Sequence, residues 1–189
     1  MAEAVRSEGV TYAEYLAAEV GREPKHDYLD GVERAMSGGT IEHGRLAMRF
    51  ARLLGSALDG RPCEVLSCDV RVRVEATNRS FFPDSSVVCS SIEVASDDAQ
   101  AIINPIVIVE VLSPATEGYD RGEKFRHYAR LPSLKEYVLV SSVAPFVEVW
   151  RRAGELWRWI EHARDAVVEL ESIQARVAMH ELYRDPFGA

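Results

Sequence analysis

The sequence contains no apolar run approaching the roughly 20 residues a membrane-spanning helix needs. Its opening residues, MAEAVRSEGVTYAEY, lack the apolar stretch of a secretion signal. Both absences lead to the expectation of a cytoplasmic protein. Cysteine is scarce: Cys63, Cys68 and Cys89 are an odd number with no C-x-x-C pair, which argues against a disulfide framework and a zinc knuckle. They read as reduced core residues. A basic excess is missing as well. With a net charge of −8, the chain does not offer the bulk positive field that usually marks a protein gripping phosphate backbones. A local basic groove or bound metal ions would still allow phosphodiester chemistry. There is no internal repeat, low-complexity tract or linker.

A hydrophobic share of 47% in 189 residues is enough for a proper core. We expect one domain over residues 11–189 behind a flexible stretch at 1–10. Thr11 stands three before Glu14, a capping box that starts a short helix ending near Gly21 and Pro24. Asp30-Gly31 lies between short segments containing apolar residues and predicts a hairpin with Glu33 on its second strand. From Thr40 to Leu58 a helical stripe runs through Leu46, Phe50, Leu53, Leu54, Ala57 and Leu58, with His43 at its inward-facing start. Cys63–Val74 ends in period-two alternation. Val70, Val72 and Val74 should face inward, with Asp69, Arg71 and Arg73 as a solvated, mutually paired row. Phe81–Cys89 reads as a strand that Pro83 restricts to an edge or a bulge, followed by a polar loop at Ser90–Gln100 and a buried strand at Pro105–Leu112. A helix over Tyr119–Arg130, a strand at Tyr137–Val140, a hairpin spanning 147–160, a strand at Val167–Leu170 and a short terminal helix complete the order. This is an α/β (α+β) pattern: a mixed β-sheet flanked by helices, with additional antiparallel C-terminal strands. The link from Pro105–Leu112 to Tyr137–Val140 is long enough to join parallel neighbours.

One residue is costly. Ile106, Ile108, Glu110 and Leu112 share one face of a buried strand, so Glu110 interrupts an apolar row near the strand's C-terminal end. Ligands of sheets with parallel strands tend to sit at such ends. Asp84, after Pro83, stands at a strand position that would bring it alongside. Two neighbouring carboxylates need a divalent cation or a lysine between them. Hard oxygen ligands in small number suit Mg²⁺ or Mn²⁺, with water and substrate phosphate completing the shell. A buried ion pair of Glu110 with Lys124 or Arg121 would also compensate the charge. Spacing alone leaves these two readings even.

The order Pro83-Asp84, then a hydrophobic strand carrying Glu110, is similar to the Pro-Asp…(Asp/Glu)-x-Lys signature of restriction-endonuclease-like nucleases, the PD-(D/E)XK superfamily. A wider set of stretches resembles the Uma-two (Uma2) family of that fold. These are Tyr28-Leu-Asp-Gly31, Met36-Ser-Gly38 with His43, Phe82-Pro-Asp84, Val109-Glu-Val-Leu-Ser-Pro114, Tyr119-Asp-Arg-Gly-Glu-Lys124 and Leu131-Pro-Ser133. The resemblance runs from about Thr11 to Tyr183. It implies a restriction-endonuclease-like sheet and a metal-dependent DNA endonuclease. Asp84 and Glu110 would be its metal ligands, with Lys124 the third catalytic residue. Leu112 occupies the position where the standard motif has its lysine, and Lys124, one helix later, is the family's substitute. His43 and Glu33 match family positions that would form an outer shell or supply a second ligand, and Arg121 would contact substrate. The alternative is a catalytically silent module on the same fold. Trp150, Trp157 and Trp159, at period two in the hairpin, are expected in the core or at a subunit contact rather than stacked on bases. The apolar hairpin edge suggests a homodimer.

Overall fold

The computed structural model describes residues 9–36, 38–185 and 187–188, so most of the stretch expected to be flexible lies outside it. Helix α1 (Tyr12–Glu19) starts on the expected capping box. Thr11 Oγ1 accepts from the Glu14 N–H at 3.2 Å, and the Glu14 carboxylate accepts from the Thr11 N–H at 2.8 Å. Strands β1 (His26–Leu29) and β2 (Glu33–Ala35) pair antiparallel. Their turn needs positive φ at Asp30 (53°) and Gly31 (96°). Helix α2 (Ile41–Leu58) buries Leu46, Phe50, Leu54 and Leu58 along the predicted stripe.

The middle of the chain is more divided than its sequence suggests. Cys63–Val74 forms two strands in different sheets, β3 (Cys63–Ser67) and β4 (Arg71–Val74). Phe81–Cys89 likewise splits into β5 (Arg79–Phe81) and β6 (Ser85–Cys89). Pro83 has no N–H to give a ladder, so the chain leaves one sheet and enters the other across Phe82–Asp84. The proline thus marks a sheet crossing, and β6 is an interior strand. The segment expected as a polar loop carries β7 (Val94–Ala95) and the start of β8 (Asp98–Ile102).

Then follow β9 (Val107–Leu112), α3 (Glu117–Tyr119), a π-helical turn over Asp120–Lys124, α4 (Phe125–Tyr128) and β10 (Glu136–Ser141). The hairpin β11 (Phe146–Ala153) and β12 (Leu156–Ala163) comes next. The pair β13 (Val167–Leu170) and β14 (Ala175–Ala178) and helix α5 (Met179–Leu182) complete the order.

The fold is mixed α+β. Its central sheet runs β12-β11-β10-β9-β6-β3, with β9 and β10 parallel as the crossover length requires. The second sheet runs β2-β1-β5-β4-β8-β7. Strand β9 is covered on both faces, which is why it reads as a near-continuous apolar run. Val107, Val109 and Val111 pack with α2, and Ile108 and Leu112 pack with Tyr128, Tyr137 and Phe81. Trp150 and Trp157 lie against Phe125, with ring centroids 4.9 and 5.1 Å apart, while Trp159 is exposed.

Two expectations need correction. Asp69, Arg71 and Arg73 are not a solvated row paired among themselves, because β4 is an interior strand covered by α1. Asp69 pairs with Lys25, Arg71 with Asp98 at 2.9 Å, and buried Arg73 with Asp97 at 2.9 Å while lying over the Tyr12 ring. Nor are the cysteines all reduced core residues. The β3–β6 register sets Cys63 opposite Cys89 and the two are disulfide-bonded, whereas Cys68 is exposed and free. Cross-strand register depends on tertiary pairing, and a spacing of 26 residues carries no signal of it.

Two measurements follow. Thiol titration of the denatured, unreduced protein should find the Cys68 thiol alone, and all three cysteines should react after reduction. Asp98 supplies the second test. It accepts from Tyr12 Oη (2.8 Å), from Arg71 Nε and Nη2 (2.9 and 3.0 Å) and from the Gln100 N–H (2.9 Å). Burial pushes its pKa up, but these donors outweigh burial and hold it below the ordinary value. Its stabilisation is therefore complete above the unfolded carboxylate pKa and is lost as pH falls through the lowered folded value. Asp98→Ala should cost about 3–5 kcal/mol at neutral pH and should flatten the acid limb of a urea-denaturation series taken below about pH 4.

Candidate functional site

Antiparallel pairing of β6 with β9 sets Ser85 opposite Val109, so the residue before Ser85 arrives beside Glu110. Asp84 Oδ2 accepts the Val111 N–H at 2.6 Å, fixing this carboxylate against the backbone next to Glu110. His43 reaches the same oxygen, with Nε2 3.3 Å from Oδ2. The Thr40 hydroxyl caps α2 by accepting from the His43 N–H (3.2 Å), placing the imidazole at the helix start. Gly39 packs beneath the ring, where an added Cβ would fall 2.7 Å from His43 Nδ1. Hydrogen bonding to Asp84 raises the His43 pKa, against burial, which lowers it.

Glu110, 5% exposed, is met from the other side by the crossover helix. Lys124 Nζ lies 2.6 Å from Glu110 Oε1, and Tyr128 Oη donates to the same oxygen at 3.2 Å. Lys124 therefore does reach across from its helix. The π-helical turn over Asp120–Lys124 ends on this lysine. One extra residue per turn is a local distortion that proteins keep mainly at functional sites. Here it presents Asp120 and Lys124 together, with Lys124 Nζ 3.8 Å from Asp120 Oδ1, and the Tyr137 hydroxyl donates to the Asp120 carbonyl oxygen at 3.0 Å.

Carboxylates are in surplus around this lysine. Asp27 on β1 is buried and accepts the Phe82 N–H at 3.1 Å, which ties the second sheet to the Phe82-Pro83-Asp84 crossing. Burial raises its pKa, and Lys124 opposes that rise. Burial likewise raises Glu110, opposed by Lys124 and reinforced by Asp120 and Asp84. Burial would lower Lys124, but Glu110, Asp27 and Asp120 outweigh it and hold the ammonium above its ordinary range. Lys124 is thus a fixed positive charge at neutral pH, not a base. Asp27, Asp84, Glu110, Asp120, Lys124 and His43 line one pocket of about 430 Å³.

The other sequence candidates lie elsewhere. Glu33 pairs with Arg22 at 2.7 Å and does not line the pocket. Arg121 is held by Glu148 (2.6 Å) and Glu117 (2.7 Å), also away from the lining. Two site residues escaped the sequence reading. Asp27 sits on a short strand buried at three consecutive positions, so no alternation flags it. Asp120 had a signal, since it stands one helical turn before Lys124 inside the stretch already singled out.

The donor chemistry fits a hard divalent cation. Both contacts of Asp84 fall on Oδ2, leaving Oδ1, and Glu110 supplies further oxygen. Among the described residues no group of three or more His, Cys, Asp or Glu side chains is arranged to hold a metal by itself.

With this geometry in place, comparison with known proteins is informative. A family model described as "Uma2: Putative restriction endonuclease" matches residues 12–179. The chain is 37% identical over 172 residues to the uncharacterised protein slr1290 of Synechocystis, covering 90% of each. It is 30% identical over 146 residues to the uncharacterised Synechocystis protein sll1609, covering 77% of this chain and 82% of the relative. A crystal structure titled as a putative nuclease belonging to DUF820, from Anabaena variabilis, superposes with a TM-score of 0.70 at 18% identity. It covers 86% of this chain and 91% of its own. That likeness concerns the fold.

The Lys124–Glu110 pair is open to a double-mutant cycle. Lys124→Met leaves Glu110 buried without its cation and should cost about 3–5 kcal/mol in urea denaturation. Adding Glu110→Gln to Lys124→Met should recover most of the loss. A non-recovering double variant would mean that the two side chains are not energetically coupled.

Proposed function

Because the chain belongs to the Uma2 family, we propose that it is a metal-dependent DNA endonuclease that hydrolyses phosphodiester bonds in this pocket. The observation that carries the reading is the reach of Lys124 to Glu110 beside Asp84. This places the displaced lysine at the carboxylates, even though Leu112 holds the position two after Glu110. Asp84 and Glu110 would hold Mg²⁺ or Mn²⁺. Such an ion, when bound, supplies Lewis-acid polarisation of a phosphoryl oxygen.

The protein's own groups supply the rest. Lys124, kept protonated by its carboxylate neighbours, offers a fixed ammonium to negative charge developing on the phosphate. His43 and the Val111 N–H orient Asp84, acting as an outer shell. Asp27 holds the Phe82 backbone and so positions Asp84 from the second sheet. Strand β12 ends the central sheet, and exposed Leu156 and Trp159 on it support the expected homodimer. No described helix is long and apolar enough to cross a membrane, and a cytoplasmic setting belongs to the same proposal.

One observation favours a second reading. Lys124 compensates the Glu110 charge through a 2.6 Å ion pair, as it would in a catalytically silent module of this fold.

Cleavage of supercoiled plasmid with Mg²⁺ or Mn²⁺, beside Mn²⁺ titration calorimetry, separates the two. The nuclease reading expects a saturating isotherm, and cleavage lowered about 100-fold or more by Asp84→Asn. An Asp84→Asn protein that cuts as well as wild type would remove the assignment. A protein with neither Mn²⁺ binding nor cleavage would establish the silent module.

A further inference from the structure

We propose that Arg34 and Tyr119 form a phosphate-gripping shelf on the pocket wall, contacting the non-bridging oxygens of a backbone phosphate in bound DNA. The inference rests on the nuclease reading and adds to it a cation that makes no ion pair among the described residues. Every other cation placed at or beside the site by sequence is committed. Lys124 is bound to Glu110, and Arg121 is clamped between Glu148 and Glu117.

Arg34 differs from both. It follows Glu33 on β2, and successive strand residues face opposite ways, so Glu33 turns to Arg22 while Arg34 lines the pocket. Its guanidinium lies 4.2 Å from the centroid of the Tyr119 ring, and among the described residues it has no carboxylate within ion-pair distance. Stacking on an aromatic face fixes the plane of a guanidinium while leaving its N–H groups pointing outward.

Tyr119 lines the same pocket, and its hydroxyl oxygen is buried with no hydrogen-bond partner among the described residues. A buried hydroxyl in this position has a hydrogen-bond donor to offer an acceptor. Burial and the neighbouring Asp27 raise the phenol's pKa, so it keeps its proton and can donate.

A planar charged donor and a neutral donor therefore meet on the pocket wall, with Asp27 across the β1–β2 ladder from Arg34. An oxyanion with several acceptor oxygens fits both donors at once, and a nucleic-acid phosphate is that group. A local cation of this kind would help a chain of net charge −8 admit a polyanion.

The test uses full-length protein carrying Asp84→Asn and a short fluorescein-labelled DNA duplex, read by anisotropy without divalent metal over a salt series. Adding Arg34→Ala should weaken binding about tenfold and lower the slope of log K against log salt by about 0.9. Arg34→Lys should keep the slope while losing part of the affinity. Tyr119→Phe should weaken binding about fivefold with the slope unchanged. Thermal melts of each variant exclude misfolding as the cause. If Arg34→Ala and Tyr119→Phe bind like their parent with an unaltered slope, the shelf is overturned and the nuclease reading stands. If the parent does not bind DNA and the wild type does not cut it, both fall together.

Discussion

The structure depends on how one buried negative charge is met. Glu110 lies on an interior strand covered on both faces, where an isolated carboxylate would cost several kcal/mol. The crossover helix answers it. Parallel pairing of β9 with β10 sends the chain over the sheet face that carries Glu110. The π-helical turn then delivers Lys124, and the next turn delivers Tyr128 to the same oxygen. Topology, helix distortion and side-chain choice all converge on this one oxygen atom. A straight α-helical register through 120–124 would rotate the residues after the turn relative to those before it.

The fold contains an internal control for what a purely structural buried carboxylate looks like. Glu136, fully buried at the start of β10, accepts from Arg151 Nε (2.7 Å), from the backbone N–H groups of Glu171 and Ser172 (3.1 Å each) and from the Ser172 hydroxyl (2.5 Å). Its charge is saturated by fixed donors on both oxygens. Glu110 has one ammonium and one phenol on a single oxygen, with Asp84 and Asp120 near enough to push its pKa upward. Two glutamates in adjacent strands of one sheet are thus treated in opposite ways. Glu136 is held by fixed donors on both oxygens, whereas the contacts of Glu110 fall on Oε1 and come from the crossover helix, the element that also lines the pocket.

What the sequence made legible was whatever follows from local pattern. The Thr11 capping box, the Asp30-Gly31 turn, the α2 stripe and the face of β9 carrying Glu110 each rest on residues within one or two turns of each other. The β9–β10 crossover followed from its length. The division of Phe81–Cys89 between two sheets was only half legible: Pro83 announced a break, but nothing local says that the chain changes sheets there. Pairings set by register were invisible, and Cys63 with Cys89, Arg71 with Asp98 and Asp27 with the Phe82 N–H are all of this kind. At the site, Asp84, Glu110, Lys124 and His43 were named from motif order and do gather at one pocket, whereas Glu33 and Arg121 took nearer partners of opposite charge.

Those two departures share a physical cause that bears on how such a site is assembled. Arg121 and Lys124 stand on the same helical stretch, but on different sides of it. Arg121 meets Glu148 on β11 and Glu117 one turn back, so it is neutralised before it can face the pocket. Glu33 is neutralised by Arg22 in the same way. Charged residues at the periphery of an acidic pocket find compensation at hand. A charge stays available for a ligand where the local fold holds its geometry without closing an ion pair on it. An aromatic face meets that condition, because it orients a guanidinium without consuming its hydrogen-bond donors. Tyr119 beside Arg34 is such a face, one residue before the π-helical turn that ends on Lys124. A single helical stretch therefore bears on two cations that line the pocket: Lys124 directly from the turn, and Arg34 through the ring on which it rests.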